Sequence, residues 1–275
     1  MNASEAAVQN GAAEAKSAAA AAAAGGVRAW PAILIGALAL AIWWLLCSAN
    51  WLPEYVFPSP QSVARAFAED MRSGRLFDDA VVSFYRVTLG FGLAVALGVP
   101  AGLLLGTRLI VREGLLPAVN FFRSLSPLAW IPFAILWFGI GDAPAVFLIF
   151  MASFFPLVLA LSGAVATVPK VYFQVGAEYG YRGARALWYV TLPAILPQLI
   201  TALRVGAGLA WLVVVAAEMV AGREGLGFAI WDARNGLRID LLVCRMITIG
   251  CIGITIDLAL LQLTRLNCVR WGYER

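Results

Sequence analysis

Residues 169–197 read PKVYFQVGAEYGYRGARALWYVTLPAILP. Pro169 suits the first turn of a helix, where a missing N–H costs no intrahelical bond. A short helix is predicted from there to about Tyr179. Gly180 then fits the left-handed position that closes a helix, where any Cβ is penalised. A second short helix is predicted over 184–191, with Arg182 and Arg185 at its start, and Leu192-Pro193 leads out of it. Tyr172, Phe173, Tyr179, Tyr181, Trp188 and Tyr189 crowd into this stretch. That is too much aromatic surface for a plain connector, and it predicts a face on which a protein docks.

The segments on either side are apolar. The chain has 275 residues, of which 62% are hydrophobic and only 13% charged, with a mean hydropathy of +0.84. Soluble domains carry roughly 25% charged residues. Apolar runs at 31–47, 86–106, 117–140, 145–168, 193–220 and 241–263 approach the ~20 residues a helix needs to cross a bilayer. The expected fold is all-α: a polytopic membrane helical bundle with six transmembrane helices. Trp30, Trp43, Trp44 and Trp51 near the ends of the first run suit the interfacial belts. Between the first two runs, 62–72 carries Val63, Ala66 and Phe67 at helical spacing and predicts an amphipathic helix on a membrane surface.

Composition excludes several chemistries. There is no histidine, so histidine acid/base catalysis, serine–histidine triads and histidine metal sites are unavailable. The lysines are Lys16 and Lys170, and neither sits in a phosphate-binding G-x-x-x-x-G-K-[ST] loop. No ATP site or other cofactor is expected on this chain, and it is not expected to be an enzyme. Cys47, Cys244, Cys251 and Cys268 form no C-x-x-C pair and read as small packing residues. The net charge of +4 is mild and the arginines are scattered, which argues against nucleic acid. Residues 1–29 are Ala-rich and low in complexity. Their first charge is Glu5, which a signal peptide would not carry there, so a cytoplasmic tail is expected. Residues 30–275 are expected to form the membrane domain.

Lys and Arg are somewhat denser in the segments that lie inside when both termini are cytoplasmic. Ala94, Gly98, Gly102 and Gly106 recur every four residues, a ridge for close helix packing within the chain or between copies. Ionisable residues in membrane segments are costly and mark function or span ends. Asp257 is expected to pair with an arginine. Arg123, Ser126, Trp130, Arg204, Trp211 and Glu218 are candidates for lining a polar route.

Residues 169–193 resemble the coupling loop of ABC-importer permeases, E-A-A-x3-G-x9-I-x-L-P. Gly180 takes the glycine position, Val190 stands for the isoleucine, and Leu192-Pro193 completes the pattern. Gln174-Val175-Gly176 replaces E-A-A, and Ala177 and Tyr181 flank the matched positions. The likeness extends over about 52–265 to the nitrate/sulfonate/taurine/bicarbonate branch. It runs through Ser83-x2-Arg86-x3-Gly90-Phe91, Pro127-Leu128-Ala129-Trp130-Ile131-Pro132, Ala217-Glu218-Met219 and Ile230-Trp231-Asp232-Ala233-x-Asn235. The resemblance implies a type I ABC-importer permease (MetI-like) architecture in the bacterial inner membrane. It implies a dimer, here expected to be a homodimer, whose coupling loops dock on cytoplasmic ATPase subunits that use the ATP. It also implies a periplasmic substrate-binding protein that delivers a small anion. Two alternatives are a paralogue that has lost coupling and a secondary transporter, though the halves show no convincing inverted repeat.

Overall fold

The computed structural model describes residues 29–48, 53 and 56–265. The expected tail over 1–29 lies, save for its last residue, outside the described residues. The chain divides into two compact units, 1–60 and 61–275. The first holds α1 (Ala29–Ser48), whose Trp43 indole N–H donates to the Pro58 carbonyl at 3.2 Å. The second holds α2 (Pro60–Ser73, entering from the unit boundary), α3 (Arg75–Thr107), α4 (Leu109–Ser124) and α5 (Ile131–Phe138). It continues with α6 (Asp142–Ala166), α7 (Lys170–Glu178), α8 (Ala184–Ala221), α9 (Leu226–Asn235) and α10 (Ile239–Gln262).

Among the described residues, four helices are long and apolar enough to cross a membrane: α3, α6, α8 and α10. A fifth crossing arises if α4 and α5 count as one span, although they meet at 86°. The apolar part of α1, Ile33–Ser48, is shorter. The expected third span over 117–140, which carries the helix-kinking prolines Pro127 and Pro132, is sharply broken. Pro127 is the cause: it pushes the preceding residue out of the helical region. Ser126 sits at φ −61°, ψ 127° and Leu125 at φ −76°, ψ 130°, both extended. A 3-10 turn, Pro127–Trp130, then restarts the chain toward α5.

The core is α3 against α6 and α6 against α8. Small residues make the first contact close. Ala94 is fully buried, and Gly98, Gly102 and Gly106 continue the same face of α3. A Cβ on Gly102 would stand 2.7 Å from Leu161 Cβ and 3.0 Å from the Val158 carbonyl oxygen. The ridge is thus spent inside one chain. Gly102→Val is expected to lower stability by about 1–3 kcal/mol. Thermal unfolding in detergent checks this, and an unchanged midpoint would contradict the packing.

α3 also begins eleven residues before the expected span, at Arg75 rather than Arg86. At 1.5 Å per residue its 33 residues run about 50 Å, well beyond a ~30 Å hydrocarbon layer. The extra turns carry Asp79, Ser83 and Arg86 on one face at helical spacing. The amphipathic helix is present as α2, with Val63, Ala66 and Asp70 buried. Its inner face packs within the chain instead of on lipid, because Asp70 is held by Arg245 of α10.

Candidate functional site

α7 ends in a Schellman turn. The Tyr181 N–H donates to the Gly176 carbonyl at 2.8 Å, and the Gly180 N–H to the Ala177 carbonyl at 3.0 Å. Gly180 occupies the left-handed position with φ 78°. The turn satisfies the end of α7 and reverses the chain within a few residues. Gly176 is buried, and a Cβ there would stand 2.8 Å from Val190 Cγ2. The two limbs of the loop therefore touch where E-A-A and the isoleucine position meet. Tyr181 and Tyr189 stack across the same junction, centroids 5.3 Å apart and planes 16° apart.

The second short helix is not separate from the fifth span. Ala184–Ala221 runs as one helix. Its segment Leu187–Thr191 is a π turn, in which the Leu192 N–H donates to the Leu187 carbonyl. Pro193 and Pro197 explain this: neither can donate, so the ladder below them widens instead of breaking. Outside the junction the loop is open. Tyr179 is 77% exposed, Tyr189 67% and Trp188 64%. Gln174 and Val175 are also exposed. An apolar groove of about 660 Å³ runs between α7 and α8, lined by Tyr172, Val175, Tyr179 and Pro193 among others.

Residues 98–267 match the family model described as binding-protein-dependent transport system inner membrane component. The chain belongs to that family. It is 32% identical over 248 residues to the taurine transport system permease protein TauC of Escherichia coli (strain K12), covering 86% of this chain and 90% of the relative. It is 32% identical over 233 residues to the nitrate import permease protein NrtB of Synechocystis, covering 82% and 84%. A solved structure of the MetNI methionine ABC transporter shares the fold, with TM-score 0.62 and 19% identity over 71% of this chain and 97% of that one. As a member of this family the chain is a transport permease component of the inner membrane and not an enzyme.

The other end of α8 is held by a network of mostly buried ions. The Glu218 carboxylate is fully buried and accepts from Ser83 Oγ at 2.9 Å, Arg86 Nη1 at 2.7 Å and the Gly227 N–H at 2.9 Å. Arg86 also donates to Asp142 Oδ1 and the Glu224 carbonyl, each at 2.7 Å. Beside it Arg245, 1% exposed, makes a two-pronged bond to Asp70 at 2.9 and 3.1 Å and lies 3.3 Å from Asp79. Asp79 in turn accepts the Gly225 N–H at 3.2 Å. These groups tie α2, α3, α6, α8, α9 and α10 together.

The expected route residues do not converge. Arg204, Trp211 and Glu218 are seven apart and share one face of α8, but each has a partner within the chain. Arg204 makes a two-pronged bond to Asp257, 2.7 Å for both contacts, as an arginine partner for Asp257 predicts. The Trp211 indole N–H donates to the Ile249 carbonyl at 3.1 Å, and Trp211 is buried. Glu218 belongs to the ionic lock. Arg123 and Ser126 are exposed at the break between α4 and α5. Trp130 is half-buried among Phe122, Phe133, Trp137 and Phe147. Reading the sequence residue by residue left Asp70, Asp79 and Arg245 unassigned. The signal was there in part, since Asp79, Ser83 and Arg86 lie on one helical face.

Proposed function

We propose that this chain is the membrane-spanning permease subunit of an ATP-driven importer of a small anion. The observation that carries this is the Schellman turn at Gly180, joined through the short link Tyr181–Gly183 to α8. It is a short lever ending in exposed aromatic residues, and levers of that form transmit force from a docked partner. Gln174, Val175, Gly176, Ala177, Gly180, Tyr181, Leu192 and Pro193 form the coupling loop. The exposed rings of Tyr179, Trp188 and Tyr189 fill a cleft of the cytoplasmic ATPase. The missing E-A-A glutamate and alanines leave that geometry intact, since Gly176 supplies the close contact to Val190.

The rest of the assignment follows from the lever. The coupling loop faces the cytoplasm, both termini lie on that side, and residues 1–29 form a tail outside the permease domain over 30–275. α1 makes the sixth crossing. The chain pairs with a second copy, and a periplasmic binding protein delivers taurine-, sulfonate-, nitrate- or bicarbonate-like substrate. Names of relatives support a small anion as cargo. The route runs beside Arg123, Ser126 and Trp130 at the break between α4 and α5, with Arg204 flanking it. Trp211 and Glu218 hold α8 in place.

The test is purification from native membranes in mild detergent, with mass spectrometry of the co-purifying chains. A stoichiometric ATPase with a phosphate-binding loop is expected, together with a binding protein. Recovery of the chain alone, under conditions where a related permease keeps its ATPase, would favour an uncoupled paralogue.

A further inference from the structure

α9 ends in the same hydrogen-bond pattern as α7, but with the wrong residue for it. The Arg238 N–H donates to the Ala233 carbonyl at 2.9 Å and the Leu237 N–H to the Arg234 carbonyl at 3.1 Å. This places Leu237, not glycine, in the left-handed position, at φ 56°. Among the described residues it is the one non-glycine with positive φ. A branched side chain there is strained. Leu237 is also 78% exposed, so its side chain gains little from packing within the chain. Glycine would remove both costs. An apolar residue that is strained and left exposed is suited to a contact made with something else.

The surroundings describe that contact. The residues that flank Leu237 along the chain carry paired charges. Arg238 donates to Asp240 at 3.0 Å and to Glu69 at 3.1 Å. Arg75 pairs with Asp232 at 3.4 Å, and Arg234 lies over the Trp231 ring at 5.4 Å. An apolar knob inside a polar rim is the anatomy of a protein–protein anchor. Arg238 faces Glu69 and Asp240, and Arg75 faces Asp232, so the rim has no excess of cations to draw it to an anionic bilayer surface. The turn also lies beyond the end of α8 opposite the coupling loop. Resting on the importer reading above, we propose that Leu237 is the apolar anchor on which the soluble substrate-delivering binding protein docks, with these paired charges as its rim.

The experiment uses the assembled importer in liposomes, titrated with the binding protein recovered in the purification above. Stimulated ATP hydrolysis is the readout. Leu237→Gly is expected to leave basal hydrolysis unchanged and to hold the Tm, or raise it by about 2–4 °C. It is expected to raise the half-stimulating concentration of binding protein about tenfold or more. Leu237→Met keeps an apolar knob and should stay close to wild type. If the wild type is not stimulated at all, the importer reading falls and the anchor with it. If the wild type responds and Leu237→Gly responds identically, the anchor alone is overturned. A loss in Tm would show that the leucine packs within its own chain, which also overturns it. A defect that follows the anionic lipid content of the vesicles would overturn it in favour of membrane insertion. Cross-linking of Leu237→Cys between copies would overturn it in favour of a dimer contact.

Discussion

Arg86→Met is expected to destabilise the chain by about 3–5 kcal/mol, the cost of stranding a buried charge. The change leaves Glu218 fully buried without its cation, and it removes the donor to the Glu224 carbonyl. The loop between α8 and α9 loses one of its fixed points, although Gly225 still donates to Asp79 and Leu226 to Ser83. Pairing the change with Glu218→Met should restore part of the loss, because two apolar side chains leave no uncompensated charge. Restoration will be incomplete, since Gly227 N–H and Ser83 Oγ lose their acceptor. Denaturant unfolding in detergent gives both numbers. A single-variant loss below about 1 kcal/mol would show that the pair is not the buried lock described.

Gly180→Val is expected to abolish transport while leaving the spans folded. The residue sits at φ 78° with open space around its Cα, so the penalty comes from backbone strain and not from a clash. Left-handed backbone costs an ordinary residue about 1–2 kcal/mol, and a β-branched one more. That suffices to distort the turn and its two closing hydrogen bonds, and is too little to unfold a helical core. Substrate-stimulated ATP hydrolysis and uptake should both fall at least tenfold at normal membrane abundance. Uptake at wild-type rate would remove the turn from the coupling mechanism.

The turn at Gly180 was legible because its determinants are local: a proline, a glycine and the spacing between them. The small-residue ridge on α3 was legible for the same reason, though only the structure shows that α6 covers it. Non-local partners were hidden. Asp70 and Arg245 are 175 positions apart, and Ser83 and Glu218 are 135 apart. Nothing in the composition of either segment names the other. Pro127 and Pro132 mark a kink in the third span, but its size was hidden, because the flanking residues are apolar throughout and hydropathy does not register backbone direction. The continuity of α8 was missed for the opposite reason. Pro193 signals an ending, yet a π turn absorbs it.

α8 is 38 residues long. One end continues from the proposed coupling loop and the other sits in the ionic lock around Glu218. If both proposed docking faces act through this rod, reciprocity binds them. Whatever factor the delivery partner applies to nucleotide affinity below, nucleotide must apply to the delivery partner's affinity above. Measuring one of these factors at equilibrium therefore fixes the other.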